Sequence, residues 1–199
     1  DQVALSIVGS DAGLETLALK SGANWHAAAT PLAVKAWQHV TLVRAADTVR
    51  VYLDGQLRPE LEVQRVAPKS STDRDVKFEF GRFDGKLDEI ALFDRELSVS
   101  EAADLYRAAE LQPPKRPKKP VVRSEKRSDD KSLALYADAV QASKPIGYWR
   151  LHDKEGDTAR DEAGHHDGRY ETKSKSRTPG TSVPNFTGGR VLINTPSLG

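Results

Sequence analysis

The chain has 199 residues, 38% of them hydrophobic and 30% charged, with a formal net charge of +1 and a mean hydropathy of −0.58. That length allows one β-rich domain or two small ones, and no apolar run approaches the roughly 20 residues that cross a membrane. Without cysteine there is no disulfide framework, thiol nucleophile, zinc-thiolate site or iron–sulfur cluster, and with Asp1 first and no methionine the chain reads as a piece of a longer protein.

From Val3 to Phe93 apolar residues recur with period two, as in strands with one buried face. The stretch Trp37–Arg44 and the stretch Thr48–Asp54 flank Ala45-Ala46-Asp47 and read as a hairpin, with Val49, Val51 and Leu53 on one face. Asp54-Gly55 then supplies a tight turn, and Val76, Phe78 and Phe80 mark a later strand. Ser98 followed by Glu101 is a capping box that starts a helix, whose apolar stripe is Ala102, Leu105, Tyr106 and Ala109.

Residues 111–132 break this pattern. They hold eight Lys/Arg against three acids, a surplus of +5 that leaves the remainder of the chain at −4, and they include Pro113, Pro114, Pro117 and Pro120. This is the composition of a solvated, basic, proline-rich linker. A polybasic stretch can attract anionic partners, but no aromatic residue interleaves the cations, so no specific nucleic-acid partner is expected. Beyond it, Leu133, Tyr136 and Val140 predict a second short helix that ends before Pro145, and strands resume over 146–151.

The runs WQHVTLVRAADTVRVYLDG from Trp37 and GRFDGKLDEIALFDRELSVSEAADLY from Gly81 together resemble the second half of a laminin G-like domain of the concanavalin A-like class. Tyr136, Val140, Pro145, Tyr148-Trp149-Arg150-Leu151, Asp161-x-x-Gly164, Gly168-x-Tyr170, Phe186-x-Gly188 and Val191-x-Ile193 resemble the opening of the same kind of domain. The resemblance implies an all-β fold, an antiparallel β-sandwich (concanavalin A-like jelly roll) with one or two short helices. It divides the chain into 1–110, the C-terminal half of such a domain, a linker 111–132, and 133–199, an N-terminal half expected to pack with 1–110 as one sandwich. Large secreted or envelope-associated bacterial proteins carry similar arrangements, which implies an extracytoplasmic location.

Domains of this kind often hold calcium at the sandwich edge, and the resemblance assigns Asp161 and Asp88 as side-chain ligands, with Glu89 and Asp167 beside them. Hard oxygen ligands on a glycine-rich turn suit that ion. The plainer reading is that Asp161 braces its own turn and Asp88 pairs with a basic residue. His165-His166 point to opposite sides of an extended chain and read as surface residues, while His39, in the Trp-x-His pattern, reads as a packed core histidine. Trp37 and Trp149 lie within the periodic motifs; Trp25, in the irregular stretch over 21–30 beside His26, is the indole expected at a surface for a sugar.

No nucleophile elbow, phosphate-cradling loop or His-Glu-x-x-His pattern is present. Glu79 alternates with Phe78 and Phe80 without a second acid facing it across a cleft, so glycosidase chemistry lacks its carboxylate pair. The expectation is a noncatalytic recognition module, contacting a glycan or an extracellular protein, that sits among other domains of a larger chain. A structural scaffold for catalytic domains elsewhere in that chain is the alternative, and a glycan-active enzyme of the same fold the more distant one.

Overall fold

The computed structural model describes residues 3–9, 15–33, 35–64, 75–81, 85–109, 111, 130–153, 156–172 and 189–196. Twelve strands and two helices follow one another along these segments, and the chain divides into two compact units, one of residues 1–69 and 96–139, the other of 70–95 and 140–199. All the strand pairs are antiparallel. Apart from Leu111 and the start of the second helix, the tract 111–132 lies outside the described residues.

In the first unit, β1 (Val3–Gly9), β2 (Glu15–Ser21) and β3 (Asn24–Pro31) form one three-stranded sheet, and β4 (Val40–Ala45), β5 (Thr48–Leu53) and β6 (Leu61–Val63) form another. The period-two pattern explains their core: Leu17 and Leu19 from β2, Val49, Val51 and Leu53 from β5, and Leu61 and Val63 from β6 close on one another with Leu5 packed alongside. The predicted hairpin is present, closing Ala45 on Thr48, with Ala46 in the left-handed region at φ 49°. It is shorter than predicted at its start. Trp37, Gln38 and His39 precede β4 because other groups hold them: the Gln38 amide pairs with the backbone of Ala33, and His39 N–H donates to Asp54 Oδ1 while Asp54 N–H donates to the His39 carbonyl.

Asp54 and Gly55 turn with positive φ, 51° and 65°, and Gly55 is required twice over, since a Cβ there would lie 2.5 Å from Tyr106 Cδ1. Tyr106 belongs to α1 (Val99–Ala108), whose start is the predicted capping box: Glu101 N–H donates to Ser98 Oγ and Ser98 N–H to the Glu101 carboxylate. α2 (Asp130–Ala142) buries Tyr136 and Val140. The Tyr136 hydroxyl sits 3.4 Å from His39 Nε2, so the His39 ring lies between Tyr136 and Tyr106. Burial there pushes the imidazole down to about 4 from its ordinary 6.5.

In the second unit, β7 (Asp75–Gly81), β8 (Ile90–Leu92), β9 (Gly147–Trp149), β10 (Thr158–Ala159), β11 (Gly168–Thr172) and β12 (Gly189–Pro196) form two sheets, ordered β10-β11-β12-β7 and β8-β9. Trp149, Leu151, Ala159, Val191 and Ile193 are its buried core, with Leu87, Ile90, Leu92 and Tyr170 against them. β7 and β8 come before the basic tract and their partners β12 and β9 after it. Trp149 belongs to this unit and Trp37 to the other. The stretch predicted as a strand over 146–151 keeps its ladder only through Trp149, because Leu151 turns to φ 56°.

Candidate functional site

The antiparallel register of β8 and β9 sets Ile90 opposite Trp149, so the residues just beyond the pair meet as well. Glu89, at φ 55°, and Leu151, at φ 56°, both leave the sheet in the left-handed region at this level. A non-glycine residue held there costs on the order of 1–3 kcal/mol, which the surrounding contacts must offset. Glu89 Oε1 accepts from Arg150 Nε at 3.1 Å, and Glu89 Oε2 accepts a short bond from the Tyr148 hydroxyl. His152 Nε2 lies 3.0 Å from Asp88 Oδ1. The side chains of Asp88 and Glu89 are 8% and 9% exposed, and with His152 they form a group whose ligand atoms lie within 4.8 Å of one another. Burial holds the Glu89 carboxyl above the usual carboxylate range; the Asp88 charge adds to this, against the opposite pull of Tyr148 and Arg150.

Asp161 and Asp167 have different duties. The Asp161 side chain is 0% exposed, and its Oδ1 accepts from the N–H groups of Tyr148, Ala163 and Gly164 at 2.8, 3.0 and 3.0 Å while Oδ2 accepts from His166 N–H at 3.1 Å. Burial alone would raise this carboxyl; the four backbone donors outweigh it and hold it below its ordinary value. The exposed Asp167 accepts from Asp161 N–H, and the Trp149 indole donates to the His166 carbonyl at 3.0 Å. Gly164 completes the fastening, because a Cβ there would stand 2.6 Å from the Ile146 carbonyl and 2.7 Å from Asp161 Oδ2. His166 Nδ1 is 3.5 Å from Asp161 Oδ2, and His165 is exposed.

Of the four residues assigned to calcium, the structure thus brings Asp88 and Glu89 together and places Asp161 and Asp167 in the loop that follows β10. Calcium takes six to eight oxygen ligands. Here Glu89 already faces a guanidinium and a hydroxyl, Asp88 an imidazole, and Asp161 four amides, so these residues do not fit that ion without giving up their present partners. The set is a network of ion pairs and hydrogen bonds in which each carboxylate is already engaged by a neighbour. Glu79 stands on β7 opposite Leu192, and its side chain lies outside the described part.

Trp25 lies on β3, in a regular strand rather than the irregular stretch the sequence suggested, because Gly22 at φ 59° closes a tight turn that returns Asn24 alongside Ser21. Its indole is 51% exposed. Lys20 is its cross-strand partner, with Nζ 5.8 Å from the ring centroid. Alternation separates the expected pair: Trp25 shares a sheet face with Lys20, while the exposed His26 stands opposite Leu19 and belongs to the other face.

Residues 4–103 match the family model described as the concanavalin A-like lectin/glucanases superfamily. The chain belongs to that superfamily. No curated protein and no solved structure matched it. The antiparallel sheets with two helices are those of a concanavalin A-like β-sandwich, and laminin G-like domains of this class are in general noncatalytic modules that bind carbohydrate or protein. Among the described residues no helix is long and apolar enough to cross a membrane.

Two features of this concanavalin A-like chain were missed in the sequence. His152 was not singled out, although it follows the Tyr-Trp-Arg-Leu motif directly; the signal lay in reading Asp-Glu-Ile against Trp-Arg-Leu-His as antiparallel neighbours. Lys20 was missed because its nearness to Trp25 depends on the register of β2 with β3.

Proposed function

We propose that this chain is a noncatalytic recognition module of a larger extracytoplasmic protein, and that its ligand, a glycan or an extracellular protein, is contacted through Trp25. The observation that carries this reading is a half-exposed indole on a sheet face of a lectin-like fold, with Lys20 beside it as a polar handle. Supporting the noncatalytic part, two carboxylates that do lie together, Asp88 and Glu89, are consecutive and tied to His152 and Arg150 rather than set across a cleft as a glycosidase needs. A scaffold role for neighbouring domains is the second reading, favoured by how fully the Glu89–Arg150 pair and the Asp161 loop are used internally.

Glycan-array binding followed by titration calorimetry tests the proposal. The expected result is binding without turnover, weakened at least about tenfold by Trp25→Ala, the order of loss when an aromatic anchor is removed. Hydrolysis of the bound sugar that disappears in Glu79→Gln overturns it, and a blank array together with no extracellular protein partner favours the scaffold. For calcium the proposal is narrower: Asp88 and Glu89 would ligate it in exchange for His152 and Arg150. Calcium uptake at millimolar concentration that is lost in Asp88→Asn supports that exchange, and no uptake ends it.

A further inference from the structure

Two of the four strand pairings in the second unit, β7 with β12 and β8 with β9, run from one side of the basic tract to the other, while β10–β11 and β11–β12 lie wholly after it. β7 and β12 pair in seven positions, from Asp75 opposite Pro196 to Gly81 opposite Arg190. β8 and β9 pair from Ile90 opposite Trp149 to Leu92 opposite Gly147. The buried core residues Trp149, Leu151, Ala159, Val191 and Ile193 all follow the tract, whereas three of the four residues that pack on them, Leu87, Ile90 and Leu92, precede it, Tyr170 being the fourth. In the first unit Tyr136 meets His39 in the same sense. Each piece therefore presents unpaired strand edges and apolar side chains that its counterpart covers, and no native cysteine locks them together.

These contacts do not depend on which copy supplies the counterpart. Exchange of an identical element between protomers recreates the same interface and needs no new surface, so it carries little energetic penalty. A tract of this length reaches about 25 Å as a random coil and about 60 Å as a polyproline helix, enough to lead to a neighbouring copy as well as back to its own. We propose that residues 130–199 of one copy complete β7 and β8 of a second copy, so that two chains form a reciprocally exchanged dimer. The partner is a second copy of this chain, and the docking surface is the β7 edge together with the Leu87, Ile90 and Leu92 face.

Concentration sets the balance. A tether of this kind gives its own counterpart an effective concentration of the order of millimolar, so the closed single chain dominates in dilute solution and the exchanged dimer grows toward that limit. The absence of cysteine makes a disulfide test clean. Glu79 and Leu192 are cross-strand partners, as are Lys77 and Asn194. Glu79→Cys and Leu192→Cys variants of the 199-residue chain are unfolded together, refolded at about 10 μM and about 1 mM and then oxidised, with Lys77→Cys and Asn194→Cys as an independent pair. The expected result is a disulfide-linked heterodimer whose fraction rises at least about tenfold over that range, while either variant alone gives far less, and light scattering on the cysteine-free chain shows a matching rise in dimer mass. A mixture that never cross-links, although the double variant on one chain closes internally, overturns the proposal. Failure of both double variants to close on one chain overturns it too, because the register it relies on would be absent.

Discussion

In the first unit each strand finds its partner close by in sequence: β1 pairs with β2, β2 with β3, β4 with β5 across Ala46-Asp47, and β5 with β6. In the second, β7 pairs with a strand that starts at residue 189 and β8 with one that starts at residue 147. Closing long loops costs entropy before any contact repays it, so the second core depends on a few large side chains and on one polar fastening. Trp149 and Asp161 meet that need, the indole filling the core and donating to the His166 carbonyl, the carboxylate gathering four amides from β9 and the loop beyond.

The comparison breaks most visibly at Trp149. Trp149→Ala removes the largest fully buried side chain and is expected to cost about 3–5 kcal/mol, a range set by how far the cavity collapses. Hydrogen exchange should show lost protection in β9, β11 and β12 while β5 keeps most of its own. Equal loss in both units would mean that the local and the non-local core do not differ in stability as argued.

A smaller effect is expected at the polar fastening. Asp161→Ala leaves four N–H groups without their acceptor, three in part-buried bonds and that of Ala163 exposed, at about 1–3 kcal/mol for each that finds no water, so a loss of about 3 kcal/mol is expected. Asp161→Asn, which keeps one acceptor oxygen, should lose less. The midpoint of urea denaturation measures both, and identical midpoints for the two variants would deny the carboxylate its bracing role.

The smallest effect at neutral pH, and the one that sharpens the comparison from the side of the first unit, belongs to His39. Its imidazole is lowered to about 4 in the folded chain, so between pH 4 and 6.5 the unfolded chain binds a proton that the folded chain does not. Stability is therefore whole above pH 6.5 and falls on acidification, by up to about 3 kcal/mol at pH 4. Asp161, also lowered, adds its loss only at more acid pH, and Glu89, raised when folded, works in the opposite direction. His39→Gln should flatten the pH 4–6.5 limb of a melting-temperature profile. An unchanged limb would show that other groups carry it.

Much of this was legible residue by residue. Val49, Val51 and Leu53 alternate because one face of their strand is buried, Ser98 and Glu101 satisfy each other's amides within a single turn, and Asp54-Gly55 needs positive φ wherever it occurs. The plain alternative weighed for Asp161, a brace for its own turn, is what its hydrogen bonds display. The Trp37 stretch was less legible. The residues look strand-like, yet Asp54 holds the His39 backbone and Ala33 the Gln38 amide, and nothing in a short window announces either partner.

The sequence by itself determined the superfamily, through its resemblance, and the strand pattern, the first helix with its capping box and the local turns, through periodicity or groups a few residues apart; the second helix was read too, but it starts at Asp130, inside the tract read as linker. Only the tertiary structure decided which carboxylates meet. Asp88 and Glu89 find His152 and Arg150 through the antiparallel pairing of β8 with β9, a juxtaposition set by chain reversal over more than fifty residues. The setting of Trp25 was decided in the same way, because the register of β2 with β3 puts Lys20 beside the indole and sends His26 to the opposite face. Strand register is fixed by the burial of a whole face, and a side chain's own neighbours in sequence do not carry that information.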